Sequence, residues 1–125
     1  MERSETDARL TSIHALLYRL GARASLRGFR YAAYAIFLGL QSPERLARPT
    51  ETIYPEVARR YHTDPEEASR NIRRVVFLMW KENPRRLQAL ADAPLDAPPT
   101  PKRFLSLACR YLEKREHERK RGKRM

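Results

Sequence analysis

The chain has one cysteine, four glycines and no long apolar run in its 125 residues, and each shortage removes a class of explanation. One thiol cannot build a disulfide framework within the chain, nor a Cys₂His₂ or Cys₄ zinc site, which needs at least two thiolates. The glycines fall in neither a G-x-x-x-x-G-K-[ST] nor a G-x-G-x-x-G arrangement, so no nucleotide-cradling loop is expected. The opening carries Glu2, Glu5 and Asp7 and no extended apolar stretch follows, so neither a signal peptide nor a membrane span is expected. His14, His62 and His117 lie far apart and outside metal-ligand spacing, so no metal site is expected. Glu113, Glu116 and Glu118 sit among basic residues, as solvated ion pairs do, not as an acid/base couple. Cys109 falls in an apolar-periodic stretch with no histidine near it, which suits a buried, reduced thiol of a cytosolic protein better than a nucleophile. The chain reads as no enzyme and as needing no cofactor.

Acidic residues are also few. Twenty-six Lys and Arg stand against 15 Asp and Glu, for a net charge of +11, and 21 of the basic residues are arginine. Arginine pairs bidentately with phosphate and with guanine edges, which lysine does not. A balance of this size favours an anionic polymer as partner, the plainer alternative being solubility alone. The excess is uneven: residues 52–83 carry only +1, and residues 113–125 carry +4. The length suits one domain with a core of its own.

The apolar pattern is helical almost throughout. Leu10, Ile13, Leu17 and Leu20 share one face, with Thr6 or Asp7 placed to cap that helix and Gly21 to end it. Phe29, Ala32, Ala33, Ile36, Phe37 and Leu40 give a second helix, followed by a short turn of helix over 43–47 that Pro49 closes. Ile53, Val57 and Tyr61 predict a short helix over roughly 52–61, with Pro55 tolerated in its first turn. Thr63 or Asp64 then caps a longer helix of about 65–82, opened by Pro65 and closed by Asn83-Pro84. A small helix at 84–91, a proline-rich loop over 92–101 and a last helix built on Phe104, Ala108, Tyr111 and Leu112 complete the series. No strand-like alternation of useful length appears, and the fold class expected is all-α. Residues 1–112 are expected to form the domain. Residues 113–125 are expected to be a basic tail that frays or extends the helix as a solvated rod.

A short helix, a turn of three or four residues and a longer helix make helix-turn-helix geometry, in which the second helix enters the major groove. At 100° per residue, Ala68, Ile72, Val75, Val76 and Met79 fall on one side of the 65–82 helix. The other side presents Glu66, Arg70, Arg73, Arg74, Phe77 and Lys81, with Ser69 on the flank. Arg70 and Arg73 lie one turn apart and suit neighbouring base pairs. The same charges also suit a solvated face with i,i+4 pairs such as Glu66–Arg70 and Glu67–Asn71. Phe77 fits neither reading and is expected to pack against another helix.

Several separated motifs, in order, resemble those of one family. Thr11-Ser12-Ile13-His14 leads to Leu20-Gly21 and then to Arg27-Gly28-Phe29 with Tyr31. Ile53-Tyr54-Pro55-Glu56-Val57-Ala58-Arg59-Arg60-Tyr61 follows, then Arg70-Asn71-Ile72-Arg73-Arg74, and then Trp80. Over about residues 11–112 the chain resembles the C-terminal DNA-binding effector domain of the master sporulation response regulator of spore-forming bacteria. The resemblance implies a domain of about six helices whose second helix of the pair reads a promoter box. It also implies tandem copies or a dimer on DNA, and contact with the RNA polymerase sigma factor. By position, Arg70 and Arg73 become readers of bases or phosphates. Glu67 and Ser69 stand where the family has an arginine and a glutamate that also face DNA, and Ala33 replaces a basic residue. Only about ten residues precede the resemblance, so the expectation is a stand-alone relative, or a fragment, without the phosphoacceptor receiver domain.

The function expected is that of a sequence-specific DNA-binding transcription regulator, cytoplasmic and at the nucleoid, with double-stranded DNA as partner. Its expected DNA-binding residues are Glu66, Glu67, Ser69, Arg70, Arg73, Arg74 and Lys81. The alternative is a helical adaptor that kept the fold, lost specific DNA reading and binds a protein through Phe77, Trp80 and their neighbours. An RNA-associated role is disfavoured by the lack of regularly spaced stacking aromatics.

Overall fold

The computed structural model describes residues 3–123, and among these every regular element is helical. The α-helices are α1 (Arg3–Arg19), α2 (Arg27–Gln41), α3 (Pro49–Thr52), α4 (Tyr54–Tyr61), α5 (Pro65–Glu82), α6 (Pro84–Gln88) and α7 (Pro101–Lys123), with a 3₁₀ helix at Pro43–Ala47. No helix among the described residues is long and apolar enough to cross a membrane.

Local chemistry sets most of the boundaries. α1 starts at Arg3, before the expected Thr6 or Asp7 cap, and ends where Gly21 takes φ 95°. There Ala22 donates to Leu17 O at 2.9 Å and Gly21 to Tyr18 O at 3.0 Å, closing the helix as a Schellman motif over the buried Leu17–Ala22 pair. Pro49 does not close the preceding piece but opens α3, because a proline at the first helical position loses no hydrogen bond there. Ile53 separates α3 from α4, so the helix expected over 52–61 begins two residues late. Asn83, extended before Pro84, ends α5 and caps α6 by accepting from Arg85 N at 3.1 Å. The Gln88 side chain spans the start of the proline-rich loop, donating to Ala93 O at 2.9 Å and accepting from Leu95 N at 2.7 Å.

α2 is the central helix and lies against α1, α4, α5 and α7. Ala32, Ala33 and Ala35 keep it slim, and Ile36, Leu38 and Leu40 fill the remaining space. α5 seats Ala68, Ile72, Val75, Val76 and Met79 in the same core, and α7 adds Phe104, Leu105, Ala108 and Leu112. Cys109 is buried there too, with its thiol 3.4 Å from Ile36 O. Burial, and to a lesser degree nearby Glu113, pushes that thiol up to about 12, with Arg9 opposing. Beyond Leu112 the apolar face ends but α7 continues without a break to Lys123. Its distal half is held against α1 by Arg9, which donates from Nε and Nη2 to the two Glu116 oxygens at 2.9 and 3.1 Å.

Candidate nucleic-acid interface

α4 and α5 form the pair that the sequence predicts. Tyr54, Val57 and Ala58 bury the inner side of α4, and the chain reverses at His62, which takes the left-handed conformation (φ 55°, ψ 49°). Thr63 N donates back to Ala58 O at 3.0 Å, closing α4 across that residue. Asp64 then accepts from Glu67 N at 2.9 Å as the cap of α5, and Pro65 fills the first helical position. A non-glycine residue at positive φ carries a steric cost of roughly 1 kcal/mol. His62→Gly is therefore expected to leave the fold intact and stabilise it by about 0.5–1 kcal/mol, raising Tm by about 2–5 °C in a thermal melt.

No other described segment buries the outer face of α5. Glu66, Arg70, Arg73, Arg74 and Lys81 are exposed, while Glu67 and Ser69 are half-buried on opposite flanks. The seven expected residues thus share one helix, but they do not share one electrostatic role. Arg70 is paired with Glu67 one turn earlier, not with Glu66 as the i,i+4 spacing suggests. Glu67 is anchored in place: its backbone N–H is tied to Asp64, and Asn71 Nδ2 donates to its carbonyl at 2.8 Å. The exposed Glu66 has no such tether. The expected Glu67–Asn71 contact is present, running mainly to the carbonyl oxygen, with the carboxylate at 3.5 Å. Contrary to the expectation that it packs against another helix, Phe77 is 50% exposed and stands outside the core cluster, on the same stripe as Arg70, Arg74 and Lys81. Trp80, one turn on, is half-buried against the core.

The fold brings further basic groups to both flanks of α5, and no sequence spacing announces them. On the Ser69–Arg73 flank, a hollow is lined by Arg48, Thr50 and Tyr54 on one wall and Thr100 and Lys102 at the start of α7 on the other. Burial pushes the Tyr54 phenol above its ordinary range, while a hydrogen bond with Ser69 and the charge of Arg73 pull it back. On the Asn71 flank, Gly28 sets the start of α2 against α5. There Arg27, Arg30 and Arg60 surround Tyr31, Tyr61 and His62. The Arg60 guanidinium lies 4.9 Å from the Tyr34 ring centroid and that of Arg30 lies 5.7 Å from the Tyr61 centroid. These contacts hold the cations on aromatic faces without neutralising them. Chain neighbours could not reveal these clusters, because Lys102 and Arg27 reach α5 only through tertiary packing.

Among the described residues no group of three His, Cys, Asp or Glu could hold a metal ion. A comparison with protein families finds a match to "Sporulation initiation factor Spo0A C terminal" over residues 13–112. The match spans α1 from Ile13 through the middle of α7 and includes the whole α4–α5 pair. The chain belongs to this family of non-catalytic helix-turn-helix DNA-binding domains that regulate transcription in sporulation.

Proposed function

We propose that this member of the Spo0A C-terminal family is a sequence-specific transcription regulator that lays the outer face of α5 in the major groove of promoter DNA. The observation that carries the reading is the exposure of Arg70, Arg73 and Arg74 on one uncovered helix face, flanked by basic groups on both sides. An α-helix fits the major groove, and guanidinium groups within the first turns of that helix reach guanine edges. In this reading Arg73 and Arg70 read bases and Arg74 meets phosphate. Ser69 and Glu66 contact the groove near the helix start, and Lys81 meets the backbone at the far end. Glu67 acts by holding Arg70 rather than by touching DNA. The clusters at Arg48 and Lys102 and at Arg27, Arg30 and Arg60 rest on the two phosphate walls, which fix register without reading sequence. The partners are double-stranded DNA at the nucleoid, occupied by tandem copies or a dimer, and the RNA polymerase sigma factor.

Selection of bound fragments from random duplex DNA tests the reading in one measurement. It is expected to enrich a short box, bound roughly 10³-fold or more tightly than random duplex at physiological salt. Failure to enrich any box would leave the adaptor reading, which the exposed Phe77 favours. That reading expects a protein to be recovered on the parent and lost on Phe77→Ala.

A further inference from the structure

A hollow of about 580 Å³ lies away from α5, between α1 and the distal half of α7. Ser12 and Arg19 line it from α1, and Tyr111, Arg115, Glu118 and Arg119 from α7. Arg115 Nη1 donates to the Tyr111 hydroxyl at 3.2 Å, and Arg19 Nη2 donates to the same oxygen. Both guanidinium carbons lie 5.6 Å from the centroid of the Tyr111 ring. Two cations are thus brought to one oxygen that supplies an acceptor but no countercharge. Glu116 also lines the hollow, but both of its oxygens accept from Arg9, so that pair adds no net charge. With Glu116 offset by Arg9, the guanidiniums of Arg19, Arg115 and Arg119 stand against Glu118, a surplus of two positive charges. Like charges held this close in a partly enclosed space repel, and an anion between them relieves the repulsion.

We propose that this hollow is a phosphate-binding site, separate from the α5 face, in which Arg19, Arg115 and Arg119 ligate the anion and the Ser12 hydroxyl donates to it. A phosphate with two or more charges matches the surplus, and its oxygens match the guanidinium fork better than one carboxylate does. Ser12, Arg115 and Arg119 lie outside the family match, so only Arg19 of the four falls within it. The phosphate comes either from a free phosphate compound or from the backbone of bound DNA, and the two sources are separable.

Calorimetric titration of the full chain with inorganic pyrophosphate is expected to show saturable binding of one equivalent. Arg19→Gln/Arg115→Gln is expected to weaken it at least tenfold, and Arg85→Gln/Arg103→Gln, an equal charge loss elsewhere, by less than about threefold. Circular dichroism reports whether each variant is folded. Should the first pair unfold, Arg119→Gln, which breaks no hydrogen bond of the seam, is expected to weaken binding about threefold alone. In parallel, the slope of log K against log salt is measured on duplex DNA. Each backbone phosphate contact contributes about 0.9 to that slope. A fall of about 2 in the Arg19/Arg115 variant, with no pyrophosphate binding, assigns the phosphates to DNA. Pyrophosphate binding with an unchanged slope assigns them to a free compound. Equal losses in the two double variants, or neither pyrophosphate binding nor a change of slope, overturns the site whatever becomes of the α5 reading.

Discussion

Arg73→Ala is expected to weaken binding to a selected DNA box by about 1–3 kcal/mol, or roughly 5- to 150-fold, and to relax the preference at one base position. Arg73 is exposed, has no carboxylate among the ion pairs of the described residues, and sits where the Arg48–Lys102 hollow meets the helix face. Its full charge and fork are available to a base edge. Arg70→Ala is expected to lose less, toward the lower end of the same range, because Glu67 already occupies its guanidinium and must share it before a base is read. Glu67→Gln removes that competitor and a charge that phosphate repels. It is expected to tighten binding to all sequences and to steepen the salt dependence, narrowing the ratio of specific to random affinity. Fluorescence anisotropy on boxed and random duplexes at several salt concentrations reads all three. Parent-like affinity in both arginine variants would remove α5 from the groove.

Gly28→Ala is expected to destabilise the fold by about 2–3 kcal/mol. A Cβ built at Gly28 would stand 2.2 Å from Asn71 O and 2.4 Å from Val75 Cγ2. The first of these is backbone, so no rotamer change relieves it, and α2 must withdraw from α5. The better helix propensity of alanine, worth about 1 kcal/mol over glycine, offsets only part of this. Gly39→Ala serves as the comparison. Its nearest neighbours are the side-chain ends Leu46 Cδ2 at 2.7 Å and Cys109 Sγ at 2.9 Å, which yield more easily. Urea unfolding with an unchanged m-value checks both, with the Gly28 variant showing the lower midpoint. The Gly28 variant is also expected to weaken DNA binding, since α2 is the support against which the recognition helix is seated.

The faces of α5 were legible because one short signal governs them. Asp64-Pro65 fixes the start, Asn83-Pro84 fixes the end, and the 3.6-residue period sorts Ile72, Val75 and Met79 inward from Arg70, Arg73 and Arg74. Gly21 was equally readable, since glycine takes its φ of 95° without the steric cost a side chain would meet there. Pro49 was not, because a proline is as compatible with opening one helix as with ending another, and only the tertiary setting decides. The pairing of Arg70 with Glu67 rather than Glu66 is a choice between two carboxylates within reach on the same helix, which a charge pattern does not decide. The docking of Glu116 on Arg9 joins residues at opposite ends of the chain, and nothing local distinguishes Glu116 from its solvated neighbours. Lys102 reaches Arg73 for the same reason: the proline-rich loop returns α7 to the recognition helix, and periodicity carries no information about where a loop leads.

The state of Cys109 has a practical consequence. Because its sulfur is packed in the core and its thiol remains protonated at neutral pH, native protein should be silent toward maleimide dyes. A cysteine installed at an exposed position near either end of α5 would then take up fluorophore alone, with no need to remove the endogenous one. Distances from the protein to labelled oligonucleotides could be measured on an otherwise unaltered chain.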